Sequence, residues 1–161
     1  MTGGSGDSAA VAMGEWLTTM TEWDVFGTLT YDPERCRLTP GFRDGRRTMP
    51  GMDVVRGHLF RWLRSGPRAI GRPVTAAVVA VERHKSGWPH AHALLRLPQG
   101  AHKGDLSGMG QSWFTSHGYA KLELPRSPGD VSAYVSKYLA KDIGTNDMVF
   151  FRCRDLVARR G

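Results

Sequence analysis

Residues 74–95 constrain this chain more than any other stretch, because their pattern describes a β-hairpin of definite register. Val74-Thr75-Ala76-Ala77-Val78-Val79-Ala80-Val81 is apolar, rich in β-branched residues, and closes on Glu82-Arg83. A central strand covered on both faces reads this way. Pro89-His90-Ala91-His92-Ala93-Leu94-Leu95 reads as a second strand. Between them, Lys85-Ser86-Gly87 has the length of a three-residue hairpin loop, with Gly in the last, left-handed position. Such a loop sets His84 opposite Trp88, Glu82 opposite His90 and Ala80 opposite His92.

Side chains alternate faces along a strand at a rise of ~3.3 Å per residue, so His90 and His92 project from one face with Cα atoms ~7 Å apart. The register adds Glu82 to that face. Two histidines on a strand are by themselves commonly half-exposed polar residues. A carboxylate ending a buried strand, however, needs a compensating positive charge, and a divalent cation supplies it. Glu82, His90 and His92 are therefore the expected metal ligands. Two imidazoles and one carboxylate suit Mn²⁺, Mg²⁺, Zn²⁺ or Fe²⁺, so ligand chemistry alone does not name the ion.

Downstream, Pro128-Gly129-Asp130-Val131-Ser132-Ala133-Tyr134-Val135-Ser136-Lys137-Tyr138-Leu139-Ala140-Lys141 reads as a helix, with Pro at the start and Val131, Val135 and Leu139 as its apolar stripe. At ~100° per residue, Tyr138, Tyr134, Lys141 and Lys137 follow one another along a single flank of that stripe. This places Tyr138 at the stripe's edge and Tyr134 farther out. Cations one turn away could stabilise a phenolate or the phosphate it attacks.

Taken in order, Phe26-Gly27-Thr28-Leu29-Thr30-Tyr31-Asp32, then Glu82 with Pro89-His90-Ala91-His92-Ala93-Leu94-Leu95, then Tyr134-Val135-Ser136-Lys137-Tyr138 resemble the three motifs of HUH endonucleases that initiate rolling-circle replication. The likeness is closest to the two-tyrosine initiators of small single-stranded DNA phages. It implies a ferredoxin- or RRM-like α+β domain, with an antiparallel sheet of about five strands, helices mainly on one face and the metal on the open face. It also implies cleavage and joining of single-stranded DNA at a replication origin through a 5′-phosphotyrosine, with Mn²⁺ or Mg²⁺ as the cofactor. Under the resemblance Tyr134 and Tyr138 are nucleophiles used alternately, Tyr134 making the first cut, and Lys137 stabilises charge on the transferring phosphate. HUH transposases and relaxases are the alternatives within the class, and the second tyrosine argues against single-tyrosine forms. A non-enzymatic RRM-like binder predicts exposed aromatics where this sheet carries Glu82, His90 and His92.

Composition agrees with a polyanionic partner. The 161 residues carry a net charge of +7, and 17 of the 22 basic residues are Arg, whose fork matches phosphate. Arg43, Arg46 and Arg47 lie in a Gly- and Pro-containing loop that is long for a compact domain, and with Arg83, Lys141 and Trp88 they form the expected DNA-binding set. Trp88, placed on the histidine face, is the expected stacking platform. Cys36 and Cys153 are too few for a disulfide framework or a metal knuckle, which suggests a reducing compartment, the cytoplasm of a prokaryotic host carrying a phage or plasmid. There is no Gly-x-x-x-x-Gly-Lys-Ser/Thr, so a separate helicase is an expected partner. A nucleobase deaminase lacks its His-x-Glu and Pro-Cys-x-x-Cys here. No apolar run approaches a membrane span.

The remaining pattern predicts a flexible Gly-rich lead over 1–7, which reads as a tag remnant, and one domain over 8–161. Helices are predicted at 8–21, 52–64 and 105–117, with strands at 24–31 and 119–124, and an edge strand near 148–153.

Overall fold

A computed structural model describes residues 4–36, 49–83, 85–139 and 147–152. Nine stretches of regular structure follow one another along these residues: α1 (Gly4–Met20), β1 (Val25–Thr30), α2 (Met52–Ser65), β2 (Ala76–Arg83), β3 (Pro89–Arg96), α3 (Asp105–Ser116), β4 (Ala120–Glu123), α4 (Pro128–Tyr134) and β5 (Asp147–Arg152). The strands form one antiparallel sheet in the order β4-β1-β3-β2-β5, so the fold is α+β. The hairpin of β2 and β3 has the register its loop demands, with Glu82 opposite His90 and Ala80 opposite His92, and Gly87 takes the left-handed φ of 83°. β5 pairs with β2 at the sheet edge. The first helix begins at Gly4, inside the stretch expected to be a flexible lead.

Helices cover the two faces unequally. The larger buried cluster lies on one face, where Val79, Val81, Ala91, Ala93 and Leu95 pack with Val55, Leu59 and Trp62 of α2 and Leu106, Met109 and Trp113 of α3. On the other, a smaller layer forms as Val78, Ala80 and Leu94 pack with Leu17 of α1 and with Val131, Val135 and Leu139. The reason for the second layer lies in β2 itself: Ala77 through Val81 are all buried, and a run apolar on both sides of the pleat must be covered on both sides. Fully burying each Leu or Val contributes about 1.5–3 kcal/mol. The second layer covers only the Leu94 end of its face, and the His90 end is left less covered.

The tyrosine helix starts as its sequence directs. Ser127 caps it, accepting from the Asp130 amide, Pro128 stands in the first turn where no amide donor is needed, and the Asp130 carboxylate reaches back to accept from the Arg126 amide. After Tyr134 the backbone widens into a π-helical turn over Val135–Leu139. Among the described residues no helix is long and apolar enough to cross a membrane.

Candidate metal and tyrosine site

β2 and β3 deliver Glu82, His90 and His92 to the partly open end of the sheet, and their ligand atoms all lie within 4.8 Å of one another. Glu82 and His90 are half-buried and His92 is buried. Glu82 Oε1 is 3.4 Å from His92 Nε2, and the two imidazoles meet edge to face at 4.6 Å between centroids. Ligand distances of about 2.0–2.2 Å put the donors around one ion about 3–4.4 Å apart, so the trio fits a divalent cation with only small side-chain adjustment. Its mixture of nitrogen and carboxylate oxygen suits first-row divalent ions.

Both tyrosines arrive on the same face from the facing helix. The Tyr138 ring stacks on His92 at 4.5 Å, with the planes 28° apart. Tyr134 lies farther from His92, at 6.2 Å, and 5.0 Å from Tyr138. Lys137 is exposed or nearly so at the helix surface, and its Nζ sits 4.9 Å from the Tyr138 ring.

The two phenols differ in their surroundings, and not as a uniform helix places them. Tyr134 packs against the second core layer, stacks flat on Phe26 at 4.4 Å and donates its hydroxyl to the Gly27 carbonyl at 2.6 Å. Burial is the main cause pushing its pKa well above the ordinary 10, and polar contacts from Thr28 and Ala93 only partly offset it. The π turn supplies the physical reason. Four α-helical residues make slightly more than a full turn, whereas hydrogen bonds spanning five residues mean that four make less than one. Tyr138 therefore falls on the opposite side of Tyr134 from its expected place, away from the apolar stripe and toward His92.

Other expected site residues separate from this cluster. Trp88 precedes the strand and packs against the α2–α3 core cluster, because the pleat's alternation does not extend through the turn. Arg83 is exposed and donates from Nη1 to the Gly87 carbonyl, bracing the hairpin loop. Arg43, Arg46, Arg47 and Lys141 lie outside the described residues. Sequence patterning gives Phe26, Gly27 and Thr28 no individual role, although they line Tyr134. A signal for them exists, since Thr28 pairs with His92 across β1 and β3 and alternation puts Phe26 and Thr28 on the histidine face.

A family profile for replication-associated proteins of the ORF2 type matches residues 24–143, a span that contains the hairpin, the metal-ligating trio and both tyrosines. No curated protein gives a significant match.

Proposed function

Because this chain belongs to the ORF2-type family of replication-associated proteins, we propose that it initiates replication as an HUH endonuclease, nicking and rejoining single-stranded DNA at an origin. The observation that carries the reading is the stack of Tyr138 on His92, which brings a phenol against a trio able to hold a divalent cation. In the cut, the phenolic oxygen forms a bond to phosphorus and loses its proton. The P–O3′ bond breaks, leaving a 5′-phosphotyrosine, and the departing oxygen takes up a proton as a free 3′-hydroxyl. Glu82, His90 and His92 would hold Mn²⁺ or Mg²⁺, which supplies Lewis-acid polarisation of the phosphate when bound.

The protein's own groups then divide the work. Tyr138 is the nucleophile poised for the first attack, because its ring stands at the ligand cluster while the Tyr134 hydroxyl is engaged by Gly27. This reverses the order that a uniform helix suggests. Lys137, beside the Tyr138 ring, offsets negative charge as the phosphoryl group transfers. Tyr134 serves the second transfer after leaving Gly27, which returns a strand end and resets the protein. Single-stranded DNA is the partner, exposed by a separate helicase, and Arg-rich segments hold its phosphates.

The test is incubation with short single-stranded DNAs carrying candidate origin sequences and Mn²⁺, read on a denaturing gel. A covalent adduct that forms only with metal, with a free 3′-hydroxyl on the released strand, is the expected result. Binding without any adduct across origin candidates would sink the nuclease reading.

A further inference from the structure

The opposite face of the sheet carries a second polar concavity that the nuclease chemistry does not use. It is a cleft of about 570 Å³ between α2 and α3, a size within the range of small-ligand sites. His58, Arg61 and Arg68 line one side, and Gln111, Ser112 and His117 line the other. It lies behind the sheet from Tyr138: its helices pack with Ala91 and Ala93, the tyrosine helix packs with Leu94, and successive strand residues face opposite ways.

Three features specify what it would take. Among the described residues no carboxylate lines the cleft, whereas two guanidinium groups do. Arg61 and Arg68 are exposed and form no ion pair among the described residues, so their donors are available. The floor is a polar, aromatic wall rather than an aliphatic one. His58 and His117 stack at 4.2 Å, and the buried His117 Nδ1 has no hydrogen-bond partner among the described residues. Guanidinium forks with hydroxyl and amide donors are the chemistry of phosphate recognition, and a flat ring wall accepts a base.

We infer that the α2–α3 cleft is a second binding site for one phosphate-bearing nucleotide unit, remote from the tyrosines. A free nucleotide and one residue of a polynucleotide present the same phosphate and base, and the experiment below separates them. Burial, reinforced by Arg61, holds both histidines well below their ordinary pKa, near 4, so at neutral pH the positive charge of the cleft comes from the two arginines alone.

The experiment follows the His58 and His117 ring resonances of the full chain by NMR while adding dTMP in one arm and a twelve-nucleotide oligothymidylate in another. A double variant, Arg61→Gln with Arg68→Gln, is run alongside; both positions are exposed, so the fold should survive, and the dispersion of its spectrum checks this. Saturable shifts at His58 and His117 that weaken at least tenfold in the double variant are expected. Shifts with both ligands assign a free nucleotide as sufficient, and shifts with the oligomer alone assign a polynucleotide. Ser112→Glu, which places a negative charge on the wall, should weaken the same shifts without removing either arginine. Resonances that stay still in both arms, or shift equally in all three proteins, overturn the proposal. Neither result bears on adduct formation by Tyr138, so this site and the nuclease reading can fail independently.

Discussion

The chain holds two clusters of paired histidines with tyrosine, one on each face of the sheet, and they use the same residue types for different ends. Behind the sheet, the Tyr31 hydroxyl meets His58 Nδ1 at 3.0 Å, and His117 stacks on His58 against Trp113. No carboxylate joins them in a ligand cluster among the described residues. Burial drives Tyr31 far above its ordinary pKa and both histidines down to about 4, so every member is neutral at pH 7. In front, Glu82 stands in register with His90, the cluster reaches solvent, and the ligand atoms converge. Histidine and tyrosine therefore do not name a chemistry; a carboxylate in register and access to solvent do.

The largest effect should come from exchanging the two histidine pairs as targets. His92→Ala is expected to lower metal-dependent cleavage on the order of a thousandfold, several kcal/mol in the barrier, while single-stranded DNA still binds. His58→Ala should keep cleavage and its metal dependence but cost about 2–4 kcal/mol of stability, since it opens a cavity and strips a buried phenol of its partner. Cleavage rates and urea unfolding measured on the two variants would break the comparison if both lost activity or both lost stability alike.

A smaller but sharper effect separates the tyrosines, because Tyr→Phe removes only the hydroxyl. Tyr138→Phe is expected to reduce first-round adduct at least about a hundredfold. Tyr134→Phe should retain the first adduct, fail in repeated strand transfer, and lose about 1 kcal/mol from its bond to Gly27. Adduct yield in single-turnover and multiple-turnover assays distinguishes them. If Tyr134→Phe alone abolishes the first cut, the roles are reversed and the Gly27 bond must open before chemistry.

The smallest effect is on pH. An unfolded histidine takes up its proton as pH falls through about 6.5, whereas His58 and His117 resist until about 4. Between these values the unfolded state binds more protons, so stability rises with pH there. The contribution is complete above 6.5 and is lost as pH falls toward 4. Urea midpoints of metal-free protein at about pH 7 and pH 5 should therefore differ, and the gap should shrink in His117→Gln. An unchanged gap would mean that the rear pair carries no such linkage.

Much of the front site was legible in the chain itself. A short loop ending in Gly and two runs of strand period fix which residues face each other, so Glu82, His90 and His92 follow from local geometry alone. Element order was legible for the same reason, since the helix and strand periods and the Ser, Pro and Gly punctuation act within a few residues. Even the cover on both faces was implicit in the unbroken run Ala77–Val81, although the helices that provide it were not. What the chain left open depends on contacts distant in sequence. Tyr31, His58 and His117 come from a strand end, a helix and a loop, and nothing local foretells their meeting. Trp88 turned to the other layer because a turn breaks the pleat's alternation. The surroundings of the two tyrosines were decided by tertiary packing as well: a π turn carries Tyr138 to His92 while Phe26 and Gly27 of a strand more than a hundred residues earlier hold Tyr134. Spacing along the chain sets which side chains share an element's face, but burial and hydrogen-bond partners, which set their reactivity, exist only once the layers have closed.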